Sequence, residues 1–484
     1  MKNIFIRSWV ITGFTLSVLL LSCSDLLDTV SPTSVSSATI FDTPERIGGL
    51  VNGAYKSLKS SNLYNGQLLF NGDIRGEEFI CRTENALAGG YIWANNFNNL
   101  TGEVNSIWGQ LYTVINTTNV LIDGLTRLDG ILSETQKQNY LGEAHFIRAL
   151  SYFNLVTLYA RPYQETNGTE KAVPLRLQPE VSSDNNDLAR STTAAVYNQI
   201  IRDLDFAESN LPESYTSNLH NTTRAHKNTA IALKTRVYLT QGNFQKLIEE
   251  AQKIVPQQQA PFSATSGVKH ALQEDITTIF SSNYTTSESI FSLPMTATDQ
   301  PLGTALSIVY YSAPAFVLNA SEPGIITYAK WRNTDNRRNF IHYNSTLKLN
   351  LLSKYKKTNP AIDFIPVIRY AEVLLNYAEA EARTGSMDKA IELLSAIRKR
   401  SDKDYTFPES TLTNDQIINT IRFERRIELL GEGLRTNDIL RNRLTFPAKP
   451  TLSSFTAREV TPNDEGYIFP IPNSEILTNN LINQ

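Results

Sequence analysis

Apolar residues recur three and four positions apart in several blocks of this chain, the spacing that collects them on one face of a helix. Around 104–125 the stripe is Val104, Ile107, Trp108, Leu111, Val114 and Ile115. In 136–159 it is Tyr140, Ala144, Ile147, Ser151, Leu155 and Leu158. Blocks 194–210 and 226–241 form another pair, with Ala230, Leu233 and Val237 on one face. In 366–384 the stripe is Val367, Tyr370, Ala371, Leu374, Tyr377 and Ala378, and Gly385 is a natural stop. A helix over 388–400 follows, and another over 414–431 opens with the capping-box pattern Thr413-Asn414-Asp415-Gln416.

One segment repeats. Gly242-Asn243-Phe244-Gln245-Lys246-Leu247-Ile248 is similar to Gly385-Ser386-Met387-Asp388-Lys389-Ala390-Ile391, and each follows an amphipathic helix. Helix, glycine, apolar pin, second helix is the logic of tetratricopeptide-type repeats, and 104–159 supplies a third unit. Stacked pairs of this kind share one continuous core. Residues 256–365 have a different texture. They hold no sustained helical stripe, several prolines, scattered aromatics and one short strand candidate, Ser289–Leu293. Loop of this length inside a folded body is usually functional.

The amino terminus reads as an export signal. Lys2 and Arg7 precede an apolar stretch from Trp9 to Leu21, too short for a comfortable membrane span. It ends at Leu20-Leu21-Ser22-Cys23, a lipobox that makes Cys23 the lipidated residue. Two acyl chains anchor stably. Ser24, in place of Asp, points to the outer membrane. The expected organisation is signal peptide 1–22, a Ser/Thr-rich tether 23–45 and a single body 46–484.

Composition removes several function classes. A net charge of −3 leaves no basic excess for a nucleic-acid backbone. Two cysteines exclude a disulfide scaffold and a Cys-rich metal site, and with Cys23 acylated, Cys81 is read as a free buried thiol. His220 and His226 are six apart, unsuited to joint metal binding on a helix, and are read as surface residues near a loop. Asp184-Asn185-Asn186-Asp187 lacks the glycine and distal Glu of an EF-hand and is read as a solvated turn. No nucleotide, zinc-protease, serine-hydrolase or redox motif is present, and no cofactor is implied. The charge run 424–441 nearly balances and is read as an ion-pair network, with Arg425 and Glu428, and Arg435, Asp438 and Arg441, three apart.

That run, Glu-Arg-Arg-x-Glu-Leu-x-x-Glu-Gly-x-Arg-x-x-Asp-x-x-Arg, resembles the carboxy-terminal signature of the SusD/RagB family. So do Ile368-Arg369-Tyr370-Ala371-Glu372 with Asn376-Tyr377-Ala378-Glu379-Ala380, and Tyr467-Ile468-Phe469-Pro470-Ile471-Pro472-Asn473. Phe41-Asp42-Thr43-Pro44-Glu45, Asn52-Gly53-Ala54-Tyr55 and Trp108 with Tyr112 also fit. The resemblance implies a mainly α fold, tetratricopeptide-like helix pairs carrying a loop-rich part with a few short strands. It implies a non-catalytic, lipid-anchored protein facing the cell exterior. Such a protein captures glycans, or in some members peptides, for a SusC-like TonB-dependent transporter. A repeat-built protein adaptor and a hydrolase with an unmarked acid pair are the other readings. By the resemblance, the ligand site draws on Asp73, Arg75, Arg82, Tyr91, Trp93 and Asn96 before the first helix pair, and on Tyr310, Tyr311 and Trp331 in the middle loops. Sugar C–H faces stack on flat rings while Asp, Asn and Arg bond the hydroxyls.

Overall fold

The computed structural model describes residues 39–85, 88–281, 284–300, 303–406 and 412–483. The chain divides into two units, residues 1–48 and 49–484, and the repeat array and the sheets belong to the second. The expected signal peptide, Cys23 and most of the tether lie outside the described residues.

The long helices are α1 (Pro44–Leu58), α2 (Gln67–Ile74), α3 (Gly102–Arg127), α4 (Glu134–Tyr159), α5 (Thr193–Asn210), α6 (Lys227–Gln241) and α7 (Phe244–Ile254). After the loop-rich insertion come α8 (Tyr370–Thr384), α9 (Met387–Ser401), α10 (Asn414–Glu428) and the short α11 (Arg435–Arg441). From α3 to α7 each helix packs on the next, α7 packs on α8, and α8 packs on both α9 and α10. The repeat array therefore continues through the insertion, and the two similar segments at 242 and 385 begin α7 and α9. The whole α3 stripe is buried. Each such Leu, Ile or Val contributes about 1.5–3 kcal/mol over an exposed one. Trp108 lies with them, its indole N–H donating to Glu475 at 3.2 Å. In the middle of the array α6 is buried from Asn228 to Thr240, so its cations must be paired inside: Arg236 donates twice to Glu372 at 2.6 Å.

Helix ends follow their local chemistry. Ser133, Thr192, Asn243 and Ser386 each accept a backbone N–H in the following turn. Thr413 and Gln416 close the expected capping box. Gly242 ends α6 with φ +80°, where a side chain would be strained. Gly385 does not have that geometry (φ −119°, ψ −133°). It is small for another reason: a Cβ there would stand 1.9 Å from the Glu381 carboxylate, which folds back to accept the Ser386 N–H.

Among the described residues, three two-stranded antiparallel sheets accompany the helices. β1 (Phe79–Cys81) pairs with β3 (Phe316–Leu318), with Ile80 opposite Val317. β2 (Ser289–Leu293), the expected strand, pairs with β6 (Ile365–Arg369), and β4 (Ile341–Asn344) with β5 (Leu349–Leu352). Val367 therefore sits in a strand, not on the helical stripe assigned to 366–384. Pairing with β2 overrides a periodicity that Val367 matched by coincidence, and α8 begins at Tyr370. Helix α10 ends at Glu428, short of 431, and Gly431 turns the chain at φ +78°.

Candidate functional site

Most ionised side chains inside the fold are committed to one another. Glu428 accepts from Arg337 (2.9 Å), Arg369 (3.0 Å) and Arg400 (2.6 Å). Arg337 also holds Asp335 and Glu424, and Arg369 holds Glu288 and Glu432. Burial alone would raise the Glu428 carboxyl, but Arg400, Arg369 and Arg337 hold it well below the usual carboxylate range. The reading of 424–441 as a network is therefore right in kind but not in its pairs. Arg425 leaves Glu428 for Asp438 and Asn376, and Arg435 leaves Asp438 for Glu77 (2.7 and 3.0 Å). Of the three-apart pairs only Asp438 with Arg441 forms, at 2.8 Å.

The nine residues assigned to a ligand site split into two groups. Asp73 is buried, and its carboxylate accepts the Gly433 N–H (2.7 Å) and the Arg435 N–H (3.4 Å), so it caps the approach to α11. Burial raises that carboxyl to about 7, against the backbone bonds. Arg75 is buried too. It donates to Asn95 Oδ1 and to the Gly466 and Tyr467 carbonyls and lies 3.9 Å from the Phe446 ring centre, and burial lowers it to about 9. Trp93 is 0% exposed, donates to the Phe79 carbonyl at 2.8 Å and faces the Lys449 ammonium at 4.7 Å. Tyr310 is buried on Phe79 at 4.8 Å, and Trp331 is 2% exposed beneath Arg338 at 4.3 Å. In this conformation none of these five offers a face to a ligand.

The other four reach solvent, and neighbouring segments join them. Arg82 follows β1, exposed, with one guanidinium nitrogen on the Pro314 carbonyl (3.2 Å) and its backbone N–H on Ala315 (2.8 Å). Tyr311, three residues earlier than Pro314, packs its half-buried ring on exposed His342 of β4 at 5.4 Å, beside the 59%-exposed Tyr343. Tyr91 is 43% exposed and meets Phe455 edge-on at 5.5 Å. The Asn96 N–H donates to the Tyr91 carbonyl at 3.0 Å, and the Asn96 side chain is exposed. Segment 451–455 closes the string: Leu452 donates to Cys81, and Ser454 donates to Glu84, two residues from Arg82. Phe455, Glu84, His342 and Tyr343 were not legible as site residues. Glu84 and Phe455 are placed by partners more than three hundred residues away, and His342 and Tyr343, on the β4–β5 hairpin, join the group only through the contact of His342 with Tyr311.

The remaining chemistry is structural. Cys81 is a free, buried thiol, as read. Asp187 spends its carboxylate on the N–H and side-chain amide of Asn480. His220 is exposed, but His226 is not a surface residue. It is buried at the start of α6 and stacked on His270, which the loop-rich insertion brings against it at 5.2 Å. Among the described residues no group of three or more His, Cys, Asp or Glu could hold a metal ion, and no helix is long and apolar enough to cross a membrane.

A helical-repeat scaffold with its charges locked inside, and a string of partly exposed rings and polar groups on its loops, defines a class of binding protein. The chain belongs to the SusD/RagB family. A SusD-like family model described as "Starch-binding associating with outer membrane" matches residues 25–239, and the SusD family model matches 280–484. The crystal structure of a SusD superfamily protein from Bacteroides fragilis is similar at 31% identity and TM-score 0.83, over 92% of this chain and 100% of that one. SusD-like protein P2 of Formosa agariphila is 26% identical over 98% of both chains. A laminarin-binding SusD-like protein shares the fold at 21% identity and TM-score 0.71, over 91% of this chain and 98% of that one.

Proposed function

We propose that this chain captures oligo- or polysaccharide at the cell surface without cleaving it and passes it to a SusC-like TonB-dependent transporter. Residues 46–484 act as one ligand-capturing body, held at the outer membrane through lipid on Cys23 and the tether 23–45. The observation that carries the reading is the string of exposed Tyr91 and Arg82 with half-buried Phe455 and Tyr311, and exposed Asn96 beside it. It offers ring edges and faces for sugar C–H groups and uncommitted polar atoms for hydroxyls. The family description as starch-binding and the laminarin-binding relative of the same fold support the choice of glycan over peptide. The non-catalytic reading is supported by how buried carboxylates are committed: Glu288, Glu379, Glu424, Glu428 and Glu432 are each held by guanidinium or ammonium groups, and Asp73 by the Gly433 and Arg435 N–H groups.

An open site of this kind binds weakly, in about the micromolar to millimolar range, since only the surplus over desolvation and ordering appears as affinity. Affinity electrophoresis through a panel of polysaccharides that includes starch and laminarin tests it. Retardation of the wild type, lost in Tyr91→Ala and in Arg82→Ala with melting points unchanged, is the expected outcome. Normal retardation of both variants overturns the site, and release of reducing ends by the pure protein overturns the non-catalytic reading. Cys23→Ala should leave the protein in the soluble fraction or as unprocessed precursor, and unchanged membrane partition would refute the anchor.

A further inference from the structure

Behind Asn96 the chain turns into a cleft of about 420 Å³, within the ~300–1,000 Å³ span of small-molecule sites. Phe97 and Ile471 line it with apolar surface, and Asn98, Asn99, Arg458 and Glu465 with polar groups. Those polar groups are largely uncommitted. Arg458 donates through Nε to the Asn95 carbonyl at 2.8 Å, and no ion pair among the described residues engages its terminal nitrogens. Gly466 lets the Arg458 guanidinium lie close, since a Cβ there would stand 2.5 Å from Nη2. Asn99 uses only its carbonyl, for the N–H of Asn473 and the amide of Asn105, so its side-chain amide is available. Asn98 accepts the Leu100 N–H through Oδ1 and leaves its Nδ2 unspent. Glu465 is exposed and has no ion-pair partner among the described residues.

The cleft is held rigidly. Phe97 meets Phe469 edge-on at 5.0 Å with Arg75 5.0 Å from its ring centre, and the Arg458 N–H is bonded to the Ala94 carbonyl. A preorganised wall binds with less ordering cost. The same segment that carries Tyr91 and Asn96 on the exposed string carries Phe97, Asn98 and Asn99 into the cleft, so the two surfaces are joined by one short stretch of backbone.

We propose that this cleft is a second sugar subsite, which takes a neutral sugar ring of a chain whose other units lie on the Tyr91–Phe455 surface. The inference rests on the glycan reading above and extends it to ligand length and charge. A ring needs an apolar patch with donors and acceptors around its edge, and Phe97 and Ile471, with Arg458, both Asn side chains and Glu465, supply them. The preference for a neutral unit follows from charge: Arg458 and Glu465 are of opposite sign, so the cleft has no net charge to draw in a uronate or sulfated unit.

The test is calorimetric titration with two neutral glucan series, maltooligosaccharides and laminarioligosaccharides, from disaccharide to heptasaccharide. Wild type should bind longer members of one series about tenfold more tightly than its disaccharide, a difference of about 1.4 kcal/mol. The Asn99→Ala/Glu465→Ala double variant, with an unchanged melting point, should bind the disaccharide as before and lose the gain with length. If it keeps that gain, the subsite is refuted while the Tyr91 surface stands. If Tyr91→Ala binds every member normally and the double variant binds none, the cleft stands and the Tyr91 surface falls. Failure of wild type to bind any member of either series refutes the inference.

Discussion

Glu428→Gln is the sharpest probe of the buried charge network. The substitution keeps the side-chain shape and removes one negative charge from among the guanidiniums of Arg337, Arg369 and Arg400, at 2.9, 3.0 and 2.6 Å. Breaking a buried pair from one side costs about 3–5 kcal/mol, because the opposite charge is left without compensation. Here each guanidinium keeps another carboxylate: Arg337 has Asp335 and Glu424, Arg369 has Glu288 and Glu432, and Arg400 has Glu288. The loss should therefore fall near the lower end, about 3 kcal/mol. At roughly 2.1 cal/mol/K per residue, a body of this length unfolds with an entropy of about 0.9 kcal/mol/K, so the melting point should fall by about 3 °C. The effect depends on pH in a defined direction. The folded carboxyl lies well below its unfolded value, so its stabilisation is full above that unfolded value, about 4.3, and is lost as pH falls towards the folded one. The gap between wild type and variant should be widest at neutral pH and narrow steadily in acid. Scanning calorimetry of both proteins at neutral pH and at about pH 3, more than a unit below the unfolded value, measures it. An unchanged melting point at neutral pH, or a gap that does not narrow in acid, would refute the reasoning.

Trp93→Ala should destabilise by about 3–5 kcal/mol, because the ring is core, and a folded variant of wild-type stability that has lost glycan binding would contradict this. Arg435→Ala strips buried Glu77 of its bidentate partner and should lower the melting point without moving the glycan affinity of the folded protein, as titration at a temperature below both transitions would show. Burial holds His226 at about 3 and His270 at about 4, both below 6.5. The unfolded chain therefore binds protons below that pH while the fold does not, and stability drops as pH falls from about 6.5 towards 4. His226→Phe should flatten that slope in a melting-point series, and an unaltered slope would exclude the pair as its source.

Local chemistry was legible wherever the decisive contacts are local. The α3 stripe and the Thr413–Gln416 box depend on residues within a few positions, whereas strand Ser289–Leu293, visible as a short apolar run, takes its partner from Ile365–Arg369 far along the chain. The repeat at 242 and 385 was visible because each instance sets its own turn. The burial of individual rings was not legible. Tyr91 and Trp93 are two residues apart and equally aromatic, yet one faces solvent and the other bonds the Phe79 carbonyl.

Periodicity, capping residues and the terminal motifs determined the helical array, its family and the lipid-anchor expectation, because those signals are written in neighbouring residues. Tertiary structure alone decided which partners the charges take and which rings remain for a ligand. Arg435 selects Glu77 across more than three hundred residues, and Asp73 caps a turn at Gly433. The string from Tyr91 to Tyr311 exists only because segment 451–455 and the β1–β3 pair are brought alongside each other. The physical reason is range: a helix is satisfied by bonds four residues long, whereas a buried charge or an exposed ring is defined by whatever distant chain lands beside it.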